Sequence, residues 1–221
     1  MWNENGRLLP RPVESTIMTT RANAWIKNIP WLIGVLLSTA AMFLCWGLGN
    51  ETASLLGGEP GIWARLGKGS VIGVVIAGLQ WPIVRAAGVR PLRFIAFSGI
   101  GFAAGYPLGQ TVQGIMILDW RLQWMHWMGY GSALATFGLS LSMPQWWLFR
   151  RHMLRASLWI VFSVAAWMLT GTAWIVFGNR SVEAAIVYGI VTGVGLVWLV
   201  RSHPPNPTSH DLKGADPALA C

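Results

Sequence analysis

The sequence predicts an all-α, polytopic integral membrane protein with six transmembrane helices. Three observations carry that expectation. Hydrophobic residues make up 54% of the 221 positions and charged residues only 11%, against roughly 25% charged in soluble domains. The charges gather in short clusters between charge-free runs of sixteen to twenty-eight residues, and about 18 apolar residues suffice to cross a bilayer as a helix. Fifteen tryptophans and twenty-six glycines fit the same class, since membrane chains place tryptophan at the interface and glycine within helices.

Residues 1–29 are polar, with Arg7, Arg11, Arg21 and Lys27 against Glu4 and Glu14. That leader is long for a signal-peptide n-region and no A-x-A site follows Leu48, so it reads as a cytoplasmic segment ahead of a signal anchor. Met18 is an alternative start. Six apolar segments follow, at 30–49, 67–84, 94–118, 122–149, 156–178 and 184–200, giving a transmembrane domain over 30–200. Their short connections are those of helices that turn straight back. The tail, residues 201–221, has proline, charge and small residues without periodicity, and is expected to be a disordered cytoplasmic extension.

Charge sets the expected orientation. With six spans, Arg7, Arg11, Arg21, Lys27, Arg85, Arg90, Arg93, Arg150, Arg151, Arg155, Arg201 and Lys213 share one side, and Arg65, Lys68, Arg121 and Arg180 the other. Twelve against four obeys the positive-inside rule with both termini cytoplasmic, which predicts a multi-pass inner (plasma) membrane protein. The net charge of +8 is therefore read as topology, and nucleic acid is not an expected partner. Membrane lipids are, including anionic lipid at the basic turns Arg85, Arg90, Arg93, Arg150, Arg151 and Arg155. A phosphate-bearing ligand or a partner protein at these turns stays open. Cys45 and Cys221 fall on different sides and cannot pair within one chain. The triplets starting at Asn50 and Asn179 are formal glycosylation sequons close to the membrane, and are read as chance matches.

Residues 80–105 resemble residues 145–170. Gln80-Trp81 aligns with Gln145-Trp146, Arg85 with Arg150, Arg90 with Arg155, Phe94 with Trp159, Ser98 with Ser163 and, upstream, Gly73 with Gly138. The unit is a helix, a basic turn and a helix, used twice in one orientation, which implies a pseudo-twofold axis along the membrane normal. The sixth segment ends on Trp198 and Arg201 without the glutamine, in the manner of a decayed third copy. The pattern Q-W-x-x-L-R, followed by a basic turn and an aromatic-led helix, resembles uncharacterised polytopic membrane proteins of cyanobacteria and other phototrophic bacteria. The resemblance runs from Gly69 to Gly171 and departs at Val84 and Phe149, where leucine is usual. It implies a polytopic membrane fold and no activity.

Several polar positions are candidate ligand or packing sites. Gln80 and Gln145 lie five residues before Arg85 and Arg150, about 7 Å of helix, and are expected to serve helix packing near the interface, with a symmetric ligand contact as the minor reading. Gln110, Gln113, Asp119, Arg121 and His126 surround the turn between the third and fourth segments. Pro107 could break the third helix there, as in transporters; an ordinary capped hairpin is the alternative. His126 could ligate a pigment or haem, but Trp124 and Trp146 are about 33 Å apart along a helix, which puts His126 at the aromatic belt. No cofactor is therefore expected, a pigment near His126 being the weak alternative, and no metal site.

Gly101, Gly105 and Gly109 form a close-packing face, through which the third helix is either buried or joins a homo-oligomer or larger complex. No charged side chain is expected in the interior of any segment, and no catalytic motif occurs, so an enzyme is not expected. A structural or accessory membrane component is favoured over a small transporter or channel for a neutral or weakly polar solute.

Overall fold

The computed structural model describes residues 31–58, 61–85, 87–116, 123–153, 155–177 and 181–202. The N-terminal segment, Asp119, Arg121 and residues 203–221 of the tail lie outside them. Six helices run α1 Trp31–Leu55, α2 Ile62–Arg85, α3 Pro91–Met116, α4 Gln123–Phe149, α5 Leu158–Val176 and α6 Ser181–Arg201, and the described residues contain no strand. Four of them, α1, α2, α5 and α6, are long and apolar enough to cross a membrane. The other two are as long, 26 and 27 residues, but carry more serine, glycine and glutamine.

Each helix packs on its neighbours in sequence, and α6 closes on α1, so the six form a ring of alternating direction. Glycine sets the close approaches. A Cβ at Gly69 would meet the Phe102 carbonyl oxygen at 2.5 Å, and one at Gly138 would meet Val164 Cα at 2.7 Å. Gly73 lies against the Ser98 backbone in the same way. Gly193 faces the Gly34 backbone and Gly189 faces Thr39, which seals α6 to α1. Gly101, Gly105 and Gly109 press on Ser140, Pro144 and Phe137 of α4. The close-packing face of α3 is therefore buried against α4 of the same chain.

The outside of the ring is apolar, with Leu32, Leu36, Phe43, Ile100 and Val161 all exposed. The inside contains Ser38, Ser98, Ser163, Gln80, Gln145 and Thr192, all fully buried. An apolar exterior around a partly polar interior is the pattern of a bundle solvated by lipid. Buried Ser98, Thr170 and Thr192 donate to carbonyls one turn back at 2.7, 2.6 and 2.7 Å, so these hydroxyls are satisfied within their own helices.

Two expectations change. Pro107 does not break α3, which runs through it to Met116; α2 and α4 likewise continue through Pro82 and Pro144, as packed helices in membranes allow. The second helix also starts at Ile62, five residues before the segment read from hydropathy. Lys68 is consequently inside α2 and only 7% exposed, a charged residue in a helix interior where none was expected. Hydropathy puts Lys68 at a segment end because Arg65 and Lys68 lower the local average although the helix continues.

Candidate functional site

The Gln145 cluster is built by three helices. Gln145 sits five residues before Arg150, near the C-terminal end of α4, where its side chain meets α3 and α5. Its amide nitrogen donates to Ser98 Oγ at 2.9 Å, and its Oε1 accepts from the Trp159 indole N–H at 2.6 Å. Ser98 passes the chain on to the Phe94 carbonyl. All three side chains are fully buried. Phe149 packs edge-on to Trp159 at 5.9 Å and stacks on Phe94 at 5.6 Å, which fixes the indole that donates.

Gln80 sits at the matching place in α2 and is also fully buried. Its amide nitrogen reaches Ser38 Oγ of α1 at a long 3.4 Å. Its Oε1 has no hydrogen-bond partner. The residue of α3 that aligns with Trp159 is Phe94, which has no N–H to give. The Tyr188 hydroxyl of α6 is likewise buried without a hydrogen-bond partner. Both glutamines are sealed inside the bundle.

The end of the bundle opposite Arg85, Arg150 and Arg201 holds Lys68. Its Nζ lies 5.3 Å from the Trp46 ring centre and 5.1 Å from that of Tyr106, so the ammonium is held against aromatic faces. Such contacts contribute about 0.5–2 kcal/mol. Trp46 in turn meets Trp174 at 5.1 Å and Tyr106 at 6.4 Å, both edge-on. The sequence reading counts Lys68 among the four basic residues of the sparser side, and the signal it passes over is the pairing of a lysine with small Gly49 and aromatic Trp46 on the preceding helix.

At the basic end five arginines at or beside helix termini cover tryptophans. Arg85 lies 5.4 Å from Trp81, Arg150 5.4 Å from Trp146, Arg151 4.7 Å from Trp147, Arg155 5.6 Å from Trp198 and Arg201 4.9 Å from Trp31. Arg90 and Arg93 are exposed at the start of α3. Gly88, at φ +78°, turns the chain between α2 and α3, and a Cβ there would come within 3.9 Å of His152 Nδ1. The two basic turns are therefore neighbours.

Gln110 and Gln113 are half-buried on α3 and lie at the other end, apart from Gln80 and Gln145. The backbone at His126 is in the first turn of α4, but its side chain is outside the described residues, as are Asp119 and Arg121 altogether. Among the described residues no three metal-ligating side chains come together. Comparison with protein-family models, with curated proteins and with solved structures returns no match for this chain.

Proposed function

We propose that the chain is a six-span inner-membrane component without enzymatic activity, which acts by packing against lipid and a second membrane protein. The observation that carries this reading is the filled axis. Phe102, Tyr106, Phe137, Trp167 and Tyr188 interlock through ring contacts of 5.2–5.7 Å and occupy the space where a solute path would run. A transporter or channel is weaker on the same ground. The uneven arginine distribution supports cytoplasmic termini, and the arginine–tryptophan pairs suit an interface facing anionic headgroups.

The repeat extends, in this reading, to three hairpins: α1–α2, α3–α4 and α5–α6. Gly73, Gly138 and Gly189 each precede Gln80, Gln145 and Leu196 by seven residues, and these precede Arg85, Arg150 and Arg201 by five. The three glycines pack on the next odd-numbered helix at Ser98, at Ser163 and Val164, and at Thr39 beside Ser38. With Leu196 as the third counterpart of the glutamines, the axis of the bundle becomes pseudo-threefold instead of pseudo-twofold.

Purification in mild detergent tests the function, with a visible spectrum taken on the same sample. The expected result is a stoichiometric partner protein or homodimer and no chromophore. A clean, colourless monomer that catalyses solute flux in vesicles would replace this reading with the transporter. Reporter fusions after Gly58, Gly88, Met116, Met153, Phe177 and Arg201 should alternate sides; any two consecutive fusions on one side would remove the six-span topology.

A further inference from the structure

At the basic end, the seam between α3 and α4 exposes an aromatic pair with arginines around it. The rings of Phe97 and Trp147 lie 5.7 Å apart, and both side chains are exposed. The Arg151 guanidinium covers Trp147 at 4.7 Å and that of Arg150 at 5.6 Å. Arg93, also exposed, precedes Phe97 by four residues, which places the two on one face of α3. Away from the basic end the seam continues with exposed Ile100 of α3 and Met143 of α4, one turn on from each ring. Charged groups thus stand at the rim, and apolar side chains run inward from them.

The other hairpins lack this combination. Two residues after its glutamine, where α4 has Trp147, α2 has Pro82. In the third hairpin Trp198 meets Phe162 at 6.0 Å, but both are half-buried and Leu158 stands where α3 has Arg93. The acidic side chains among the described residues, Glu51 near the end of α1 and Glu183 at the start of α6, lie at the opposite end of the ring. We propose that the α3–α4 seam holds one anionic phospholipid, its phosphate among Arg93, Arg150 and Arg151 and an acyl chain along Phe97, Ile100 and Met143. This names the lipid partner of the packing role above and rests on the six-span reading. A guanidinium over an indole face keeps its in-plane N–H donors for phosphate oxygens. A free phosphate would use the arginines alone, whereas the exposed apolar side chains directly behind them match a lipid chain.

Native mass spectrometry of the full-length protein tests this, after incubation in detergent with equal amounts of phosphatidylglycerol and phosphatidylcholine. The expected result is one phosphatidylglycerol retained about tenfold better than phosphatidylcholine, within what three basic side chains supply at a membrane surface. Arg93→Gln with Arg151→Gln should abolish the preference. Arg85→Gln with Arg155→Gln removes the same charge elsewhere at the basic end and should leave most of it. Equal retention of the two lipids overturns the proposal, as do equal losses from the two pairs in variants that elute as the native protein does. Displacement by inorganic phosphate would make the seam an ion site, and a protein partner released by the first pair would make it a protein contact; either result removes the lipid. The reporter fusions above separate the two levels. Alternating fusions with equal lipid retention sink this site alone, whereas fusions after Gly88, Met116 and Met153 that fail to alternate sink the six-span reading with it.

Discussion

Gln145 and Gln80 each stand five residues before a helix-terminal arginine, each fully buried, and their surroundings differ by one aromatic residue. Trp159 gives Gln145 a second hydrogen bond at 2.6 Å; Phe94 gives Gln80 none. The first site is a closed polar chain linking α3, α4 and α5. The second is held by one long contact to α1, and its Oε1 has no partner. The difference teaches that a repeated motif fixes depth and direction, while the neighbouring helix decides whether the polar group is glue or an open valence. Burying a polar group is nearly neutral when it is paired, and leaving one unpaired costs about 1–3 kcal/mol.

The largest expected effect strikes what both sites share, the close approach of the glycine seven residues upstream. Gly138→Leu would drive a side chain into the α5 backbone at Ser163 and Val164. It should lower stability by about 3 kcal/mol, at the upper end of ordinary overpacking, read as the midpoint of SDS unfolding of the purified protein. Gly47→Ala, which meets nothing within 4 Å, should stay within about 0.5 kcal/mol of native as surface changes do. Equal losses from the two would mean that α4 and α5 do not pack as described.

Next in size is Gln145→Leu. It strands the Trp159 N–H in a sealed site and should cost about 2 kcal/mol by the same unfolding assay. Trp159→Phe should cost a similar amount, and the double variant little more than either single one, because one bond is removed in all three. Additive losses would show that the 2.6 Å contact is not what holds the site. Gln80→Leu should stay within about 1 kcal/mol of native, since it removes an oxygen that has no direct partner.

Much of this was legible from the chain, for physical reasons that can be named. Runs of apolar residues located all six helices, because a helix in an apolar surrounding needs length and hydropathy above all. The glutamines, their terminal arginines and the upstream glycines were visible because they recur at fixed spacing. Their partners were not. Ser38 sits in an ordinary small-residue run, and nothing in its neighbourhood marks it as the contact of a residue 42 positions away. The closure of α6 on α1 is a long-range fact that no local pattern encodes. Lys68 is the second residue of the segment read as 67–84 and so looks terminal, although the helix starts at Ile62 and aromatic rings cover the ammonium. Pro107 misled in the opposite direction: a breaker in isolation, it is accommodated where α3 packs closely on α4.

The finest test converts one site into the other. Phe94→Trp places an indole N–H where Trp159 stands in the Gln145 cluster, aimed at Gln80 Oε1. By itself the change should move stability by no more than about 1 kcal/mol, a new hydrogen bond set against a larger ring beside Phe149. Its effect is clearer in combination. In the Phe94→Trp background, Gln80→Leu should now cost about 2 kcal/mol where it previously cost less than 1, a coupling of about 1 kcal/mol between positions that were formerly independent. A tryptophan that does not fit would lower the midpoint and leave Gln80→Leu unchanged, and in that event the contrast between the glutamines would owe more to helix spacing than to the missing N–H. Coupling of the expected sign would instead make the two sites energetically alike, and would tie the open valence of Gln80 to the single ring nitrogen that Phe94 lacks.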